Sequence, residues 1–326
     1  MTVQNRISVA MCTYNGERFL AAQLASVAKQ TRLPDELVVH DDKSSDHTVA
    51  ILQEFAHSAR FPVRIIENQR NLGYAANFEA AIRNCDADLI ALADQDDVWY
   101  PTRLERSEFE LNTHPKAGLV FSDADLIDEH DRLLGETLWH RLGFLGKRKR
   151  DLQSGRFVVL AKHRFATGAT MMLRASLRDR CLPIGSGWIH DEWIIMIAAA
   201  FSEVRPVDQP LIRYRIHGSQ QVGLSNKLER RARGTTRAEK HWSRVADSAQ
   251  ELQQLCDALS AMTLDTEPEV LPAYRRHLQF LLFRSNLPAP RLARLGSIFS
   301  WYSGYQAHAS GLASVLKDLA FARRPK

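Results

Sequence analysis

The chain has 326 residues, the length of one large domain or two ordinary ones, with 45% hydrophobic and 25% charged residues. That excludes collagen-like, disordered and disulfide-scaffold classes, and a chain this long buries a sizeable core without metals or cross-links. The formal charge of +5 is uneven: residues 1–223 carry 27 Lys and Arg against 29 Asp and Glu, whereas residues 224–326 carry 16 against 9.

In chain order, short apolar runs alternate with helix-period segments. Ile7–Cys12 is a strand that ends in the turn signal Thr13-Tyr14-Asn15-Gly16, and Phe19, Leu20, Leu24 and Val27 then share one helical face. Glu36–His40 is a second strand, ending in Asp41-Asp42, and Ser44-Ser45-Asp46 caps a helix to Phe55. Val63–Glu67 is a third strand, Ala75–Cys85 a helix, and Ala87–Ala93 a fourth strand ending in Asp94-Gln95-Asp96-Asp97. Pro101 suits the first turn of a helix over Thr102–Thr113, before a fifth strand at Ala117–Asp123. The alternation then weakens. Leu145–Arg150 reads as a basic loop, Ala166–Leu173 and Arg213–Ile216 as strands, and Asp191–Phe201 as an apolar helix. Residues 226–260 and 268–322 read as helical, broken at Pro268, Pro272, Pro288 and Pro290.

Such alternation predicts an α/β fold with a mostly parallel central sheet built of βαβ units, followed by a C-terminal helical extension. The expected division is an α/β domain over 1–223 and a basic helical extension over 224–326. Ligands of such sheets bind outside the carboxyl ends of the strands. Asn15, Asp41, Asp42, Asp94, Asp96 and Asp97 all follow strand ends, hence one rim of one crevice.

So many carboxylates on one rim repel one another or recruit a cation. Mg²⁺ or Mn²⁺ shared with substrate phosphates suits them. Helix capping by Asp94 and Asp97 is the plainer alternative, but it accounts for one or two residues, not five. There is no GxGxxG after the first strand and no GxxxxGK[ST], which excludes a standard dinucleotide site and a P-loop. Asp94, Asp96 and Val98 formally match the DxDxV string of aspartate-nucleophile phosphohydrolases. That string belongs after a first strand, and here it follows the fourth.

The strings ISVAMCTYNGERFL, LVVHDDKSSDHT, ENQRNLGYAANFEAAI and ADLIALADQDDVWYPTRLE, then TGATMMLR, HDEW and PLIRYRIHGSQQVG, resemble family 2 glycosyltransferases of the rhamnosyltransferase-like branch over residues 5–223. The resemblance implies a GT-A fold of two abutting βαβ halves, a divalent cation, and inverting transfer of rhamnose or another hexose from a UDP- or dTDP-sugar. It places Thr13, Asn15 and Glu17 around base and ribose, Asp42 on the pyrimidine N3–H, Asp94 toward ribose and metal, and Asp96 on the metal. Asp191 matches the catalytic base, and His217 a histidine that reaches the metal or diphosphate. Lys43 replaces the usual glycine of DDGS, and Gln220 stands where Asn is common.

From the residues alone, Asp191 is equally an N-cap for the helix to Phe201. Gly168 either lets a sugar approach the backbone or is a plain strand-entry glycine. Trp99, Trp188 and Trp193 are core or sugar platforms, and His40 and His190 read as surface or structural residues. A non-catalytic sugar-nucleotide binder is the remaining rival, and no nucleic-acid motif accompanies the basic tail.

Cys12, Cys85, Cys181 and Cys256 form no CxxC pair and read as reduced thiols. Signal-peptide features are absent, and the longest apolar run, Ile194–Phe201, falls far short of the roughly 20 residues of a membrane span. The expected location is cytoplasmic, with a carbohydrate or lipid-linked acceptor of cell-surface polysaccharide or O-antigen synthesis. From Val270 on, nine basic residues and one acid, Asp318, interleave with aliphatic and aromatic ones. That pattern fits helices lying on the inner, anionic face of the cell membrane, or helices packed on the catalytic domain or on the second subunit of a homodimer.

Overall fold

Ile7–Thr13 forms β1, whose seven residues are all buried, as a central strand covered on both faces requires. In the computed structural model, which describes residues 5–155, 157–163, 165–218, 220, 237–262, 268–309 and 311–321, eight further strands join β1 in one sheet. Helix α1 (Leu20–Ala28) buries Leu20, Leu24 and Val27. Then come β2 (Glu36–Asp41), α2 (Thr48–Ser58), β3 (Val63–Glu67), α3 (Tyr74–Arg83) and β4 (Leu89–Ala93). The order β3-β2-β1-β4 is parallel throughout, so the carboxyl ends of β1, β2 and β4 open on one side.

The second half departs from a parallel sheet. It contains β5 (Val98–Trp99), α4 (Arg103–Thr113), β6 (Ala117–Ile127), β7 (Leu133–Thr137), β8 (Met171–Arg174) and β9 (Glu203–Arg215). The sheet continues β8-β6-β9-β5, with β7 paired to β6. β8 runs antiparallel to both β4 and β6, while β6 and β9 are parallel. The sheet is therefore mixed rather than mostly parallel.

Several boundaries differ from the sequence expectation for local reasons. β9 is 13 residues long, not a short strand, because Pro206 and Pro210 hide a strand from propensity rules. The register of β9 against β6 shifts between Ser122 and Ala124, beside Pro210. β6 runs on past Asp123 because that carboxylate accepts the backbone N–H groups of Ala124 and Trp139 (2.8 and 2.9 Å). The stretch from Ala166 is not all strand: Gly168–Thr170 is a 3₁₀ turn leading into β8. Beyond β7 lie α5 (Leu138–Leu142), α6 (Lys147–Gln153), α7 (Val158–Lys162), α8 (Arg178–Cys181) and α9 (His190–Phe201). The expected basic loop is thus largely the helix α6, supported by an ion pair of Lys147 with Asp151 one turn on (2.5 Å). α9 is buried almost all round.

The chain divides into two compact units, Met1–Gly155 with Arg164–Leu228, and Arg156–His163 with Glu229–Lys326. The expected boundary at 223/224, and the helix expected from 226 to 236, lie outside the described residues. The second unit contains α7 and the helices Arg237–Ala261, Val270–Ser285, Arg291–Ser300, Tyr302–His308 and Leu312–Ala320. Pro272 does not break its helix, since it sits in the first turn, where no N–H is needed. Phe280, Leu287, Ile298, Tyr305 and Val315 form the core of this unit. Arg284 and Arg294, expected on a basic surface, are buried. Arg284 holds Asp318 with two 2.7 Å hydrogen bonds, and Arg294 donates to the carbonyls of Pro288, Asp318 and Phe321 at 2.7–2.8 Å. No helix among the described residues is long and apolar enough to cross a membrane.

Candidate active site

The carboxyl ends of β1, β2 and β4 and the start of α9 enclose a cavity of about 480 Å³, lined by Thr13, Asn15, Asp42, Asp94, Asp96, Asp191 and His217 among others. That volume lies within the ~300–1,000 Å³ of small-molecule sites. The acids of the expected rim divide into two groups. Asp41 and Asp97 turn inward. Asp41 accepts Thr13 Oγ1, Ser44 N and Ser44 Oγ at 2.6–2.8 Å, and Asp97 accepts Arg215 N at 2.9 Å. Asp42, Asp94 and Asp96 face the cavity.

Asp42 Oδ1 accepts Leu72 N (2.7 Å) and Asn68 Nδ2 (3.0 Å), and Oδ2 accepts Gly73 N (2.9 Å). Three donors on one carboxylate leave lone-pair capacity for a ligand N–H. The loop bearing Asn15 is fixed by Asn15 Oδ1 accepting Ser45 N (2.8 Å) and by Asn15 N donating to Ser44 Oγ (2.9 Å). Asn15 and Lys43 adopt φ of 46° and 64°, in the left-handed region, so the glycine missing at Lys43 is missing where one is favoured. Gly16 is required for a different reason: a Cβ there would collide with Gln95, whose amide bonds Tyr14 N (2.8 Å) and Tyr14 O (3.1 Å).

Asp94 is half-buried in the cavity wall, and its pKa is pushed up to about 8 by desolvation, then by the charges of Asp96 and Asp191, against Arg103. Neither Asp94 nor Asp97 caps α4, whose N-cap is Thr102 with no side-chain cap bond. His217 Nε2 lies 2.8 Å from Asp96 Oδ2, and the His217 ring rests on Phe19 at 4.7 Å. Arg215 ties this loop down, Nε to Asp96 O (2.7 Å) and Nη2 to Asp131 Oδ1 (2.7 Å). Among the described residues no three His, Cys, Asp or Glu converge as a complete metal site. The donor set still suits a hard cation. Two adjoining carboxylates that destabilise each other fit an ion that takes the rest of its ligands from phosphate and water. His217 is engaged with Asp96 in this arrangement.

Asp191 sits in the first turn of α9 and is not its N-cap, which is Ile189. Its Oδ2 accepts Gly168 N (3.1 Å) and its Oδ1 accepts Glu192 N (2.7 Å). Two expected contacts change. Gly168 does not line the cavity. A Cβ there would come within 2.5 Å of His190 Nε2, so its lack of a side chain makes room for protein rather than for sugar. Glu17 also lies off the cavity, turned to His47, whose N and Nδ1 are 3.0 and 2.7 Å from Glu17 Oε2. Gln220 lines the cavity and donates to Arg215 O (2.6 Å).

Some residues of the site escaped sequence reasoning. Arg103 is buried 3.6 Å over the Trp99 ring and donates to Leu92 O and Ala169 O (2.8 and 2.6 Å) beneath the acids. His190 lines the cavity, buried and stacked on Phe78 at 3.9 Å, and neither ring nitrogen has a hydrogen-bond partner. Burial lowers its pKa. The apolar context of HDEW was the available signal. Trp188 and Trp193 pack on each other at 5.6 Å and, like Trp99, are core.

Residues 8–179 match the family model described as glycosyl transferase family 2. An uncharacterised glycosyltransferase of Nostoc sp. is 28% identical over 221 residues, 66% of each chain. The alignment with a Bacillus subtilis relative spans 45% of that protein. The Escherichia coli UDP-Glc:α-D-GlcNAc-diphosphoundecaprenol β-1,3-glucosyltransferase WfgD is 35% identical over 99 residues, 30% of this chain and 38% of its own. Among solved structures, S. aureus TarS (1–349) in complex with UDP-GlcNAc superposes with a TM-score of 0.56 at 15% identity, covering 96% of this chain and 89% of that one. The mannosyltransferase PcManGT of Pyrobaculum calidifontis, in complex with GDP-Man and Mn²⁺, gives 0.53 at 19% identity, covering 97% and 79%. The fold is that of the GT-A transferases.

Proposed function

The chain belongs to glycosyltransferase family 2, and on that premise we propose that it transfers a hexose, rhamnose or another, from a UDP- or dTDP-sugar to an acceptor hydroxyl with inversion at C1. The observation that carries the proposal is that Asp191, Asp94 and Asp96 line one cavity that also contains Asp42. Asp42 accepts the pyrimidine N3–H with its remaining lone-pair capacity, and the Thr13–Asn15 loop walls the nucleoside. Asp96 and Asp94 hold Mg²⁺ or Mn²⁺, which supplies counter-charge for the departing diphosphate. Asp191, oriented by Gly168 N and Glu192 N, accepts the proton of the acceptor hydroxyl as its oxygen bonds C1 and the C1–diphosphate bond breaks. The undecaprenol-linked acceptor named for WfgD supports a lipid-linked or carbohydrate acceptor in cell-surface polysaccharide synthesis. The family match leaves the phosphohydrolase alternative without support. The division into a catalytic domain to residue 223 and a helical extension belongs to the same proposal.

A thermal-shift screen of nucleotide sugars with and without Mg²⁺ or Mn²⁺ tests this, because a ligand of the folded state raises the melting temperature by mass action. A UDP- or dTDP-sugar should raise it, more with the cation. Absence of a shift and of transfer with every nucleotide sugar, whatever the cation, would refute the proposal.

A further inference from the structure

The second unit carries an outer apolar face that its own core does not use. In the helix Arg291–Ser300, Arg294 and Ile298 turn inward while Leu292, Leu295 and Phe299 stand 86%, 50% and 81% exposed. At 3.6 residues per turn these three fall within about 60° of arc. The exposed Ala293, Gly296 and Ser300 beside them carry no charge. Trp301 and Tyr302 continue the exposed surface, and Leu312 and Leu316, one turn apart on the next long helix, are 59% and 57% exposed. Single exposed leucines are ordinary, but two such stripes within one small unit mark an interaction surface.

On the two helices that carry these stripes the exposed charges, Arg291 and Lys317, have one sign. Between residues 270 and 321 the one acidic side chain is Asp318, and it is buried against Arg284, His241 and Tyr305. The exposed charges of that stretch are Arg275, Arg276, Arg291 and Lys317. We infer that this face lies on an anionic lipid bilayer. Leu292, Leu295, Phe299, Leu312 and Leu316 enter the acyl boundary, and the four basic side chains meet the headgroup phosphates. A second copy of the chain would bring like charges together around the same patch, which disfavours that occupant. The inference goes beyond the catalytic reading, and it is tested without substrate, so either can fail alone.

The test is co-sedimentation of the full chain with vesicles of phosphatidylglycerol and phosphatidylcholine in equal parts, and of phosphatidylcholine alone, at low and high salt. Partitioning should be at least tenfold stronger on the anionic vesicles at low salt and fall steeply with salt. The double variant Leu292→Glu, Phe299→Glu should lose at least tenfold on the anionic vesicles. Arg276→Glu with Lys317→Glu, which leaves the apolar stripe intact, should lose severalfold there and nothing on phosphatidylcholine. Equal binding to the two vesicle types, or none, would overturn the inference. So would a dimer in solution that Phe299→Glu splits.

Discussion

The buried Asp318 of the second unit and the half-buried carboxylates that line the cavity of the first are treated in opposite ways by the protein around them. Burial raises the pKa of Asp318, but hydrogen bonds from Arg284, His241 and Tyr305 outweigh it and hold the pKa down to about 2. Asp94 is half-buried, and desolvation with the charges of Asp96 and Asp191, against Arg103, pushes it up to about 8. In the second unit each oxygen of the acid is satisfied by neighbouring side chains. In the first, like charges converge on a cavity. The contrast separates a carboxylate that holds a fold together from carboxylates that await a ligand.

Removing a member of each cluster should separate the two roles. The largest expected effect is on turnover. Asp96→Ala should cut transfer by at least about 10³-fold, with the melting temperature unchanged in EDTA and with EDTA reproducing the loss in the parent. Full activity in excess EDTA would remove the cation from the scheme. In the second unit Asp318→Asn should cost about 3–5 kcal/mol, because it leaves Arg284 buried without its partner, and denaturant titration followed by Trp fluorescence reads that loss. The folded pKa of Asp318 lies below its unfolded value, so its contribution is complete above about pH 5 and disappears as pH falls toward 2. The variant's stability should therefore approach the parent's in acid. Asp94→Asn goes the other way: in EDTA at pH 7 it should leave the melting temperature unchanged or raise it, since a neutral amide avoids the cost of protonating on folding a carboxyl that is ionised in the unfolded chain. A loss as large as that of Asp318→Asn would show Asp94 to be structural. The smallest effect is expected at Lys43, at φ 64°, where Lys43→Gly should add up to about 1 kcal/mol by relieving left-handed strain.

The sequence reveals the first cluster better than the second. Strand alternation alone places Asp42, Asp94 and Asp96 at carboxyl ends, since parallel strands put their ends on one side. It cannot separate them from Asp41 and Asp97, because whether a carboxylate turns in or out depends on partners such as Ser44 and Arg215. Arg103 reads as an ordinary helix-surface charge, and its burial follows from Ala169, 66 residues away. Gly168 and Glu17 show the same limit: their motifs are legible, but His190 and His47, which occupy the space beside them, are not. In the second unit the interleaved pattern identifies amphipathic helices, but only tertiary packing sorts Phe280, Leu287 and Ile298 inward and Leu292 and Phe299 outward.

The most direct test of the contrast is Asp191→Asn, a change that keeps the side-chain shape and removes the charge that takes up a proton. Donor affinity by isothermal titration calorimetry and transfer rate should be measured on the same preparation. The expected result is donor affinity within a few-fold of the parent and a transfer rate lower by about 10²–10⁴-fold. A parallel collapse of donor affinity and rate, or an unchanged rate, would contradict the assignment of Asp191 as the base.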